Sequence, residues 1–369
     1  NEALGFDSAP TIPDLDPKKG MDVITYTGNG GTQNIGGLNF EPGLVWIKER
    51  SGTGASSANH VLVDSVRGVT KTLYSNTTSA ETTGTAAFRS FNPDGFTLGL
   101  DTTKQRSNDN NDNYVAWTWR AGGPAVANTN GTITSQVSAS TEYGFSVVKY
   151  TGTGSNATVG HSLGKAPAWI LVKTLDDAYN WFVYHKGVDA SAEDYYLRLN
   201  TDGARVDSSA AWNDTAPTST LFSIGTDGSV NESGDDYIAY CWSEVSGYSK
   251  FSSYSGSGAS GNKQTLGFKP RWVIIKCTTT SANEWVIFDT ERNPSNPADD
   301  YLYADKSAAE ASYSNRKIEV LDDGFQFYGS DQAINTSGDT YIYAAFADRP
   351  GNNWDVNNIV TNEGLTTSK

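Results

Sequence analysis

Three stretches of the chain carry the same apolar and aromatic run. They are Tyr114-Val115-Ala116-Trp117-Thr118-Trp119, Tyr237-Ile238-Ala239-Tyr240-Cys241-Trp242 and Tyr341-Ile342-Tyr343-Ala344-Ala345-Phe346. Each follows a polar turn: Asn110 to Asn113, Asn231-Glu232-Ser233-Gly234-Asp235, and Asn335-Thr336-Ser337-Gly338-Asp339. A turn feeding a run of ring-bearing and β-branched residues signals a strand, so three copies predict three related units, each closed by such a strand.

The rest of each unit aligns on these strands. Val23-Ile24-Thr25-Tyr26 ends at Thr27-Gly28-Asn29-Gly30, and this opening returns as Val147 to Gly154 and as Phe251 to Gly258. A Gly-x-Gly turn invites a phosphate-loop reading, but that site needs a helix directly after the glycines and another strand is expected here. Next comes the most apolar run of each unit, begun by a proline and ended by a lysine: Pro42 to Lys48, Pro167 to Lys173 and Pro270 to Lys276. A run apolar on both faces belongs to a strand covered on both sides. The lysines at its end read as snorkelling edge charges. Then follow His60 to Asp64, Trp181 to His185 and Trp285 to Asp289, which alternate as half-buried strands.

The units therefore span 22–120, 144–243 and 248–349. Residues 1–21, with Pro10, Pro13 and Pro17, read as an extended leader. Residues 121–143 read as a linker of small polar residues, so the first unit is expected to hinge while the other two pack as a rigid pair. Residues 350–369 read as a loosely ordered tail. Units of roughly 100 residues are large enough to be domains, so the expected fold is all-β, three tandem homologous β-sandwiches of jelly-roll or concanavalin-like type.

Composition agrees: 12% aromatic residues, 37 glycines and one methionine suit a turn-rich β protein. The net charge of -15 argues against nucleic-acid binding and against an anionic bilayer. No apolar run nears the ~20 residues of a membrane span, so no membrane insertion is expected. Asn1 is neither a start nor part of a signal peptide, which suggests a segment of something longer. Cys241 and Cys277 lie in apolar runs and read as reduced core thiols, with a disulfide between units as the alternative.

Candidate chemistry is sparse. His60, His161 and His185 are the only histidines, and two of them sit at aligned strand ends where the third unit has other residues. The acidic pairs Asp176-Asp177, Asp235-Asp236, Asp299-Asp300 and Asp322-Asp323 read as solvated turns, because a glycosidase needs carboxyls facing each other across a cleft. Ser107 to Asn113 is oxygen-rich enough for calcium, with Asp109 and Asp112 as candidate ligands, but lacks the Gly and terminal Glu of the helical calcium loop. Most tryptophans fall in the aligned strands and read as packing. Trp212, in a polar loop with no counterpart elsewhere, is a candidate ligand contact together with Tyr179 and Tyr328. No catalytic residue and no cofactor is assigned.

The aligned motifs resemble a known family. Tyr26-Thr27-Gly28-Asn29-Gly30, Pro42-Gly43-Leu44-Val45-Trp46-Ile47-Lys48, Asn59 to Gly68, Ser90 to Gly99, Tyr114 to Gly123, Trp212-Asn213-Asp214-Thr215 and Tyr343 to Ala347 are similar to a repeat of tail-fibre and related virion appendage proteins of marine tailed phages, especially those of cyanobacteria. The resemblance covers 22–349. It implies a structural and adhesive protein located in the virion, most simply a tail fibre or receptor-binding module, with other virion proteins and a host-surface polysaccharide as partners. It also implies a homotrimer, since trimers are common among fibres, although three internal units could let one chain do what three would. A capsid decoration protein is the alternative reading, and a polysaccharide-degrading enzyme the third.

Overall fold

The computed structural model describes residues 15–52, 54–84, 87–100 and 106–349, so most of the leader and the whole tail lie outside the described residues. The fold is all-β and of the β-sandwich class, with antiparallel pairing throughout the named strands. Helices are limited to single turns such as Ser209–Trp212 and Gly228–Asn231. No described helix is long and apolar enough to cross a membrane.

One strand order occurs three times. In the first large sheet Met21–Thr27 pairs with the closing strand Asn113–Trp119, followed by Leu44–Ser51, Val61–Asp64, Lys71–Tyr74 and Thr82–Thr83. The last sheet repeats this as Ser249–Ser255, Thr340–Arg349, Lys269–Cys277, Val286–Asp289, Asp300–Tyr303 and Ala311–Ser312. The middle sheet runs Phe145–Thr151, Asp236–Trp242, Trp169–Thr174, Phe182–His185, Tyr195–Arg198 and Val206–Asp207. It gains two edge strands, Val126–Asn128 and Ser135–Ser140. The stretch 121–143, expected as a linker, thus extends the middle sheet, because Val137 and its neighbours find an unpaired strand edge to complete.

Each large sheet packs one face on a small sheet of its own. In the first unit Val45, Ile47, Tyr114 and Ala116 meet Ile35, Phe96 and Leu98, the last two from the strand Gly95–Leu98, which pairs with Gln33–Gly36 and Phe88–Asn92. A tyrosine of the opening strand stacks on the closing strand's first tyrosine in every unit: Tyr26 on Tyr114 at 5.1 Å, Tyr150 on Tyr237 at 5.1 Å, Tyr254 on Tyr341 at 5.0 Å. Six residues before each closing tyrosine stands a fully buried asparagine: Asn108, Asn231 and Asn335. Its amide oxygen accepts from the Gly-x-Gly turn at Asn29, Thr153 or Ser257. Its amide nitrogen donates to two carbonyls, those of Gly225 and Ser155 in the middle unit, each at 2.6 Å. The second glycine of the turn sits at φ 66, 73 or 67, where a side chain would strain the backbone. These glycines therefore end a strand and receive an asparagine.

The other faces of the three large sheets meet in one shared core. Trp119, Trp242 and Phe346, each five residues after the first tyrosine of its closing strand, lie 5.7 and 5.8 Å from one another through Trp119. Trp169 stacks on Trp242 at 4.3 Å, and Trp272 stands edge-on to Trp119 at 5.5 Å. Alternate residues of one strand serve the two cores: Val115, Trp117 and Trp119 point to the shared one, Tyr114 and Ala116 to the local one. That is why the runs are apolar on both faces.

Equivalent contacts then close the three units into a ring. The backbone amides of Glu81, Arg205 and Glu310 donate to the carbonyls of Leu175, Thr278 and Arg50 at 2.8, 3.0 and 3.0 Å, joining first to middle, middle to last and last to first. The indoles of Trp181 and Trp285 donate to the carbonyls of Tyr74 and Arg198, both at 2.9 Å, and at the third joint His60 faces the backbone of Tyr303. The expected hinge at the first unit is absent for this reason: both of its neighbours hold it.

Candidate functional site

The residues singled out for ligand contact do not converge. Trp212 ends the one-turn helix Ser209–Trp212, is 2% exposed, donates its indole N–H to the Tyr195 carbonyl at 3.0 Å and meets the Tyr184 ring edge-on. It is a core residue, corrected from the sequence reading, because the short helix rolls the ring inward where a polar loop was expected. Tyr179 and Tyr328 are each 38% exposed but stand on different units, the first against Gly228 of the middle unit and the second at the end of the strand Gly324–Tyr328.

The histidines are all buried. Desolvation holds His185 down at about 3 and His161 at about 4, and His60 well below its ordinary value, so the three rings are neutral near pH 7. Their nitrogens are used in packing: Trp46 donates to His60 Nδ1 at 2.8 Å, and His185 Nε2 bonds the Tyr343 carbonyl at 3.0 Å across the joint between middle and last units. The acidic pairs sit in turns and ion pairs, as with Asp236 beside Lys149 at 2.8 Å and Asp323 beside Lys263 at 2.8 Å. Cys241 and Cys277 are free and buried.

The lysines that end the apolar runs differ from the edge charges expected. Lys48, Lys173 and Lys276 are 0% exposed. Each ammonium turns into a loop and donates to two carbonyls: Glu49 and Ala55, Thr174 and Asp177, Asp202 and Asn283. Burial lowers all three to about 8, since water is replaced by only two acceptors. They organise loops.

Two places remain where the described residues could meet a ligand. The first is an open polar groove of about 530 Å³ between the middle and last units. Lys186 to Ala190 and Arg205 form one wall; Ser252, Ser253 and Thr340 form the other. Its charges are internally paired, Arg205 with Asp189 at 2.8 Å and Lys186 with Glu244 at 2.7 Å, and the Arg205 guanidinium lies over the Tyr195 ring at 4.6 Å. The groove sets a turn and a loop, Lys186 to Ala190 and Arg205, against the strand residues Ser252, Ser253 and Thr340, and has little apolar floor. The second place is a carboxylate cluster in the first unit, where oxygens of Glu49, Asp109 and Asp112 lie within 4.8 Å of one another. It contains both sequence-nominated calcium ligands and adds Glu49, which sequence reading passed over although it follows the core lysine directly. The cavity beside Trp272 and Phe288 holds only about 10 Å³.

No curated protein matches the chain. A family model spans residues 16–350, and therefore all three units and the joints between them. The chain belongs to the family described as Domain of unknown function (DUF7483).

Proposed function

We propose that the chain is a structural and adhesive protein of a tailed-phage virion, a tail fibre or receptor-binding module that offers the groove between its middle and last units to a host-surface polysaccharide. The groove carries this reading. Its lysine, arginine and aspartate side chains on a turn and a loop, opposite serine and threonine side chains on strands, suit the many hydroxyls of a sugar chain, and its openness suits a polymer passing through. The virion setting rests on the resemblance of the aligned motifs. The chemistry of the described residues supports binding over turnover: the histidines are buried, and the acidic pairs lie in turns or at strand starts, several of them in ion pairs. Individual sugar contacts are weak, and several copies on one particle would strengthen them by simultaneous engagement.

The test is competition for adsorption. Purified chain is expected to block attachment of the parent phage to its host in a dose-dependent way, and Ser253→Trp, which fills the groove from an exposed position, is expected to lose at least tenfold in blocking potency. Failure of the folded chain to block would favour the second reading, capsid decoration without a receptor role, which the rigid closed ring also suits.

A further inference from the structure

We propose that the first unit binds a hard divalent cation of the calcium class between Glu49, Asp109 and Asp112. The three carboxylates come from two elements. Glu49 lies on the core strand Leu44–Ser51, at a register shift between Glu49 and Ser51, while Asp109 and Asp112 belong to the turn before the closing strand. That turn is fixed from several sides: Gly28 N–H donates to the Asp112 carbonyl at 2.9 Å, Asn111 N–H to the Gly28 carbonyl at 2.9 Å, and Asp109 N–H to the Tyr114 hydroxyl at 2.9 Å.

An acidic cluster alone would mean little, but Glu49 adds an independent observation. It is 0% exposed, its Oε1 accepts one bond from Gly54 N–H at 3.3 Å, and its Oε2 has no hydrogen-bond partner. A buried carboxylate oxygen left without a partner is costly, and a cation at the cluster would satisfy it.

The sister units carry neutral residues at the equivalent position. Glu49 pairs in register with Tyr114; Thr174 and Cys277 pair with the equivalent Tyr237 and Tyr341. In the middle unit the Thr174 hydroxyl simply donates to Asp235, the counterpart of Asp112, at 3.3 Å. A neutral residue is therefore sufficient for the fold, and the first unit alone places a carboxylate there. Among the described residues, Lys48 spends its ammonium on the Glu49 and Ala55 carbonyls, and the Arg106 guanidinium lies over Gly54 and attracts Glu49. An all-oxygen donor set with no histidine or cysteine selects a hard ion. Two carboxylates from a turn and one beside a strand irregularity suit the flexible coordination of calcium better than the strict octahedron of magnesium.

The experiment is a Tb³⁺ titration of the full chain, read by luminescence sensitised through Tyr114, whose hydroxyl contacts Asp109, and followed by displacement with Ca²⁺. Wild type is expected to give saturable emission reversed by Ca²⁺, and a melting temperature that rises with added Ca²⁺. Glu49→Gln is expected to fold, as the neutral sister residues indicate, and to bind Tb³⁺ at least tenfold more weakly with no Ca²⁺ response in melting. Asp109→Asn, at a partly exposed position, serves as the second variant with the same expected loss. Absence of Ca²⁺-reversible emission in wild type, or equal binding by the variants, would overturn the proposal.

Discussion

The residues that define this protein most sharply are those whose polar atoms are buried with exact company. Asn108, Asn231 and Asn335 show the pattern: an amide in each unit ties a glycine turn to the loop before the closing strand. The signal was present in the chain as an asparagine six residues before each closing tyrosine, but asparagine is also the commonest turn residue, and solvated turns explain it equally well until the bonds are seen. Trp212 shows the reverse error, since a polar sequence neighbourhood does not reveal which way a one-turn helix points its ring. Trp212→Ala is expected to destabilise the protein by ~3–5 kcal/mol in denaturant unfolding, the cost of emptying a large aromatic site. A selective loss of glycan binding at unchanged stability would contradict that placement. His185 offers a pH test. Its ring titrates near 3 in the folded protein and near its ordinary value when unfolded, so the unfolded state takes up the extra proton as pH falls. The contribution of the neutral ring is complete above about pH 6.5 and is lost as pH falls toward 3. The stability difference between wild type and His185→Gln is therefore expected to move toward the variant by ~1.4 kcal/mol per pH unit across that window. A pH-independent difference would mean that His185 is charged in the fold.

At the scale of elements, the closing and core strands were legible because a strand buried on both faces reads as an unbroken apolar run. What covered the second face was not legible, since periodicity reports burial and not the partner. The three terminal lysines were misread for a related reason: a charged end beside an apolar run usually reaches water, and only the loop carbonyls around Lys48, Lys173 and Lys276 make burial tolerable. The joints between units use the strand that follows. Asp64 on Val61–Asp64 accepts from the Tyr240 hydroxyl of the middle unit at 2.8 Å and pairs with Arg67, which is itself buried. Its counterpart Asp289 accepts from Trp117 of the first unit at 2.9 Å and pairs with Arg292. Asp64→Ala takes the nearer carboxylate from the buried Arg67, which keeps Glu81 at 3.2 Å, and is expected to cost ~3 kcal/mol, whereas Tyr240→Phe removes a hydroxyl that donates to Asp64 and accepts from Arg67 and is expected to cost ~1–2 kcal/mol. Equal small effects of the two changes, measured by urea unfolding, would show that the joint is open to water.

The whole molecule is a closed ring of three sandwiches with one common core, and this changes what a threefold assembly could mean. Each unit gives one face of its joint to a neighbour and takes the other, so all three joints are used within the chain. A homotrimer would have to form through other surfaces. Among the described residues the polar groove and the carboxylate cluster are two chemically distinct places in a chain of net charge -15. The shared core also bears on cooperativity: removing one unit would expose Trp119, Trp242 or Trp272 with their neighbours, so none is expected to hold its fold when the ring is broken. Scanning calorimetry of the intact chain tests this most directly. One transition, with the calorimetric enthalpy equal to the van't Hoff enthalpy, is the predicted result. Two or more separable transitions, with one unit melting while the others persist, would contradict it.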